Sequence, residues 1–227
     1  MTQTQTRDLT APAESTTARP KWPLVGAAAG LLGYVATLAL DGRTTSDARL
    51  SDTLFDDLSP MVYRASMVVG YVVVALLLVF AANWRRRIEP RVPGSTAAHL
   101  VPLGLVASAA GLTYGYGWKG ALGNYMPGGM EEKMFDSNGL YVYYVLSDFG
   151  TFIGWLGVIV AAGAVIWMSL RERTVARWIG IFSILPVLGA TAGVVAGGVA
   201  GIPGMFGPLW LIVTGLGLTF GRNTITR

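Results

Sequence analysis

Residues 60–87 read PMVYRASMVVGYVVVALLLVFAANWRRR, and this stretch decides the fold class. From Met61 to Asn83 it carries one charged residue, Arg64. An α-helix needs about 20 such apolar residues to cross about 30 Å of hydrocarbon. Pro60 suits the first helical turn, where its missing N–H has no partner to lose. Arg85, Arg86 and Arg87 close the run, a basic cluster of the kind that stays on the cytoplasmic side of a membrane.

Working outward, five more segments have the same character: residues 24–40, 98–118, 140–170, 178–200 and 205–220, beside 61–83. The expected fold is an all-α, polytopic membrane bundle of six transmembrane helices. The 140–170 segment would be roughly 45 Å long as one helix. It is expected to tilt or to project its Tyr-rich start, Tyr141 to Tyr144, beyond the hydrocarbon. Residues 1–22, rich in Thr, Ala and Pro, read as a disordered tail without the apolar core of a signal peptide. Residues 222–227 form a short C-terminal tail.

Charge sets the orientation. Alternate segments hold Arg7, Arg19 and Lys21, then Arg85, Arg86, Arg87 and Arg91, then Arg171, Arg173 and Arg177, then Arg222 and Arg227. The intervening loops hold only Arg43, Arg49, Lys119 and Lys133. Both termini are therefore expected in the cytoplasm, with the protein in the plasma membrane. The opposite side is acidic, with Asp41, Asp47, Asp52, Asp56 and Asp57 in the first loop and Glu131, Glu132 and Asp136 in the second. Gly201-Ile202-Pro203-Gly204 reads as a tight turn between the last two spans.

Composition narrows the chemistry. Charged residues make up 13% of the chain, against about 25% in a soluble domain. Mean hydropathy is +0.51. There is no cysteine, which excludes disulfides, a cysteine nucleophile and iron–sulfur ligation. The single histidine, His99, excludes a multi-histidine zinc site or a bis-histidine haem within the chain. It is expected at the membrane interface. No phosphate-binding loop, GxSxG or HExxH occurs. No cofactor or metal is expected. The net charge of +4 resides in topology clusters and forms no nucleic-acid stripe.

Two features remain. Gly189, Gly193, Gly197 and Gly201 recur every four residues along one face of the fifth span. Such a face admits a neighbouring backbone, either within one chain or from a homo-oligomer or partner membrane subunit. Gly111-xxx-Gly115 and Gly150-xxx-Gly154 repeat the pattern. The second feature is charge at depth. Arg64 and Asp148 fall at like depth on parallel spans, where charge is costly. They can snorkel, pair with each other, or form a polar site. Tyr144, Asp148, Thr151 and Trp155 share one helical face and are the candidate lining of an outward pocket. The aromatics Tyr114, Tyr116, Trp118, Tyr125, Phe135, Tyr141, Tyr143 and Tyr144 read as an interfacial belt or a vestibule.

An acidic first loop, Met61-Val62-Tyr63-Arg64, the turn from Arg171 to Arg177, Trp178-Ile179-Gly180 and a Gly-rich hairpin together resemble the layout of small six-span bacterial membrane proteins. That resemblance implies an architecture and no activity. The expected function is non-enzymatic: a structural or accessory subunit, or a binder of lipid or apolar molecules, with membrane lipids as partners. The alternative is a small transporter or proton-coupled carrier using Asp148, in which a helix broken at Pro186 is expected. A membrane-embedded enzyme is the third reading.

Overall fold

The computed structural model describes residues 20–40, 54–56, 58–221 and 225. The tail through residue 19, most of the acidic first loop and the last basic residues lie outside the described residues. Among the described residues the regular structure is helical throughout. Helix α1, Leu24–Tyr34, runs on into a π-helical turn, Val35–Ala39. Then come α2 (Pro60–Arg87), α3 (Thr96–Tyr125), α4 (Ser137–Ile153), α5 (Leu156–Leu170), α6 (Arg177–Val195) and α7 (Ile202–Phe220). Counting α4 and α5 together, five of these helices are long and apolar enough to cross a membrane, and Leu24–Ala39 is a shorter apolar helix.

Helix α3 is the central element and packs against α2, α4 and α5. Helix α1 lies between α2 and α7, and α5 closes the bundle against α6 and α7. The basic loops meet at one end: Ser95 Oγ donates to Glu172, and Arg91 Nη1 to the Ile225 carbonyl. That basic end is capped locally. Ser95 Oγ accepts from Ala98 N at 3.0 Å, an N-cap for α3. His99 Nδ1 lies 3.3 Å from Glu89 Oε2 on the exposed surface. At the far end Leu54, Phe55, Leu58, Tyr63, Leu122, Met126 and Leu140 form a second, smaller apolar cluster.

Four boundaries differ from the sequence expectation. Helix α3 runs on to Tyr125 and takes in Lys119, which the charge pattern assigned to a loop. The 140–170 segment is two helices, broken at Gly154–Trp155. Pro186 lies within a continuous α6, so the break is not there. The turn before α7 also comes earlier than expected. Helix α6 ends at Val195, Gly198 adopts φ +65°, and Ile202 and Pro203 already belong to α7.

The break needs local repair, because backbone groups freed in an apolar interior must find partners. Gly154 still donates to Gly150 O at 3.1 Å, but Trp155 N reaches only Phe152 O, at 3.4 Å. Val158 N, near the start of α5, donates to Ser108 Oγ of α3 at 2.8 Å. Val158 N also donates to Trp155 O at 3.0 Å, so Ser108 is a second acceptor supplied by a neighbouring helix. It can reach because α3 and α5 nearly touch: a Cβ on Gly157 would lie 2.8 Å from Ser108 N.

Candidate functional site

Glycine builds the first candidate site. Along the seam between α3 and α4–α5, Gly115 faces Gly150, Gly111 faces Gly154 and Gly104 faces Gly157. A Cβ on Gly111 would lie 3.1 Å from the Gly154 Cα, and one on Gly150 2.8 Å from the Gly115 Cα. Backbone therefore packs on backbone. With no side chains over this seam, its outer side is a groove of about 620 Å³. Gly111, Gly150 and Gly154 form its floor. Phe149, Ile153, Leu156 and Val160 form one wall, and Ala107, Tyr114 and Trp118 the other. Tyr114 is 67% exposed and its ring centroid lies 6.1 Å from that of Trp118.

The second candidate site is polar and dry. It centres on the π-turn, in which Leu40 N reaches back to Val35 O at 2.8 Å. Such wide turns are frequent at functional sites. Thr37 Oγ1 lies 2.9 Å from Tyr116 OH and accepts from Trp155 Nε1 at 3.1 Å. Ser66 Oγ donates to Ala36 O at 2.7 Å. Lys119 Nζ donates to Ala36 O and to Leu40 O, both at 3.3 Å. Lys119, Tyr116, Thr37, Ser66 and Trp155 are all buried. Glycines make room: the Tyr116 ring covers Gly70, and the Trp155 ring lies against Gly33 and Gly207. The Trp155–Thr37 bond joins the break in α4–α5 to the π-turn of α1.

The residues singled out from sequence are dispersed. Arg64 Nε donates to Asn124 Oδ1 at 3.2 Å, and its stem packs near Gly123 of α3. Asp148 instead borders a small cavity of about 250 Å³ with Phe149, Phe152, Val199, Gly201, Ile202 and Met205. The expected common lining of Tyr144, Asp148, Thr151 and Trp155 does not form among the described residues. Thr151 is fully buried and donates to Ser147 O and Asp148 O at 3.1 and 3.2 Å. Trp155 turns inward at the break. Tyr144 meets Phe55 and Tyr141, with ring centroids 6.3 and 6.2 Å away. Tyr116, expected in an interfacial belt, is in the core.

The fifth-span glycines divide as well. A Cβ on Gly189 would lie 2.8 Å from the Phe206 ring, one on Gly193 2.6 Å from Ile202, and one on Gly201 3.2 Å from Phe152 Cβ. Gly197 lies past the end of α6, is exposed and meets only its own segment, so it is not part of a packing face.

Sequence reasoning missed Lys119, Thr37, Ser66 and Tyr116. One signal was present: Gly120-Ala121-Leu122-Gly123 continues an apolar helix beyond Lys119. Ala36 O and Leu40 O, which accept from Lys119, are main-chain carbonyls and leave no mark in a sequence. Among the described residues no three of His, Cys, Asp and Glu come together as a metal site would require. No protein-family model, no curated protein and no solved structure matches this chain.

Proposed function

We propose that this is a six-span protein of the plasma membrane, with both termini cytoplasmic, that seats the acyl chain of a membrane lipid in the groove between α3 and α4–α5. The shorter Leu24–Ala39 helix supplies the sixth crossing in this reading. The observation that carries it is the groove itself. Its volume of about 620 Å³ falls within the roughly 300–1,000 Å³ typical of ligand pockets. Its lining is apolar, and it opens sideways on a helix surface where Leu103, Val106, Phe149 and Val160 are also exposed. The neighbour of such a surface in a bilayer is lipid. Lipid tails are as apolar as leucine, so burial alone gives no preference for one chain. Selection comes from shape: a groove left unfilled forfeits dispersion contacts along its whole lining. Tyr114 and Trp118, at one end, are the residue types that settle at headgroup level.

Native mass spectrometry of the protein purified in mild detergent tests this. The wild type should retain a lipid at about one per chain, and Ala107→Phe, which fills the groove from an exposed position, should release it. Equal lipid content in the two proteins would remove the groove from consideration. For the topology, a cysteine at position 130 should react with an impermeant reagent in intact cells and one at position 88 should not. The reverse labelling would overturn the orientation.

A second reading is favoured by a separate pair of observations. Asp148 borders a cavity, and the helix that carries it is broken at Gly154–Trp155. Broken helices and a membrane-embedded acid are the parts of a carrier. In that reading Asp148→Asn folds normally, and proton uptake by vesicles containing the protein is abolished. Unchanged uptake would leave only the lipid-binding reading.

A further inference from the structure

A lysine ammonium buried among helices is expensive to desolvate, and it persists only where strong acceptors surround it. Lys119 is 0% exposed. Its acceptors are not incidental carbonyls. The last carbonyls of a helix have no partner within the helix, and they carry the negative end of its dipole. Helix α1 and its π-turn end at Leu40, with φ −101° and ψ +40°. Ala36 O and Leu40 O lie one turn apart at that end, and Lys119 Nζ sits 3.3 Å from each. Ser66 Oγ, from α2, supplies a second donor to Ala36 O at 2.7 Å. The neighbouring Thr37, Tyr116 and Trp155 side chains are satisfied among themselves.

Two contacts of 3.3 Å are at the long end for N–H···O bonds. The ammonium lies equidistant from the two carbonyls. That is the position a free monovalent cation would take at a helix C-terminus. The stem reaches it through a helix contact with no slack, since Gly120 of α3 abuts Met67 and a Cβ on Gly123 would lie 3.0 Å from Pro60 O.

We infer that the π-turn of α1 is a cation site and that the Lys119 ammonium is its tethered occupant. This charge joins α1, through Ala36 and Leu40, to α3, and Ser66 of α2 donates to the same Ala36 carbonyl. Cutting the tether leaves a site for a compact monovalent cation that can donate hydrogen bonds, with a small primary ammonium as the best match.

The test is chemical rescue on the full chain in detergent. Lys119→Ala should melt below the wild type. Ethylammonium chloride should recover at least about half of the lost melting temperature, saturably, while tetramethylammonium chloride at the same ionic strength should not. The wild type should respond to neither. Potassium chloride separates the sources of recovery: rescue by potassium alone assigns the site to charge, and rescue by ethylammonium alone assigns it to charge with donated hydrogen bonds. Equal action of ethylammonium and tetramethylammonium would overturn the inference. Where Lys119→Ala yields no folded protein, Lys119→Met and Lys119→Arg decide. Methionine keeps the stem and loses the charge, and arginine keeps the charge. Lys119→Met melting at or above Lys119→Arg would show that the cation is not required.

Discussion

Two seams in this protein are written in the same glycine spacing and are built differently. Between α3 and α4–α5, glycine meets glycine, and main chain lies on main chain from Gly104–Gly157 to Gly115–Gly150. Between α6 and α7, the glycines receive large side chains instead: Gly189 takes Phe206 and Gly193 takes Ile202. The spacing states that a helix face is bare. It does not state what fills the bareness, because the partner residue is on another helix. A backbone in contact with a backbone cannot yield, whereas a side chain can change rotamer. The two seams should therefore differ in what they tolerate.

The largest effect is expected at Gly115. Gly115→Leu drives a side chain into the Gly150 main chain, and α3 and α4 must separate. A loss of at least about 3 kcal/mol is expected, toward or beyond the upper end for overpacking, read as lost folded yield or a sharply lower melting point in detergent. Gly193→Leu is next. Ile202 at the start of α7 can give way, so the cost should be about 1–2 kcal/mol. Gly197→Leu is last, at or below the cost of Gly193→Leu: its Cβ would meet the Gly193 carbonyl at 2.7 Å, but in an exposed segment past the end of α6 that no other helix holds in place. If Gly197→Leu proved as costly as Gly115→Leu, the four-residue spacing alone would govern and the distinction between the seams would fall. A change in oligomeric state on Gly197→Leu would sharpen it differently, assigning that exposed glycine to a contact between chains.

The same contrast explains what could be read in advance. Each apolar segment became helical, the 140–170 segment as two helices, because hydrophobic length is a property of consecutive residues. The groove was half legible: Gly111-xxx-Gly115 and Gly150-xxx-Gly154 were visible, but their facing each other was not. The break at Gly154–Trp155 carries no proline, and one of its contacts is with Ser108, far away in sequence. Pro186 had the local mark of a break and made none, since neighbouring helices can satisfy the groups a proline frees. Lys119 was counted as a loop charge because hydropathy assigns lysine to water. Its acceptors include the carbonyls of residues 36 and 40. Arg64 and Asp148 stood out in the sequence as charges within apolar segments. Arg64 engages Asn124, a choice that side-chain reach decides and depth does not.

The break in the fourth span has a consequence for the order of assembly. Two of the groups that hold it are Thr37, which receives Trp155, and Ser108, which accepts from Val158. Both precede the break in the chain. A nascent protein folds from its N-terminus as it is made, so the receptors for the irregular turn exist before the turn is synthesised. The same holds for Lys119, whose carbonyl acceptors at Ala36 and Leu40 come first. The irregular turn and the buried lysine thus enter against a surface already prepared for them, and the growing chain serves as the template for these two irregularities.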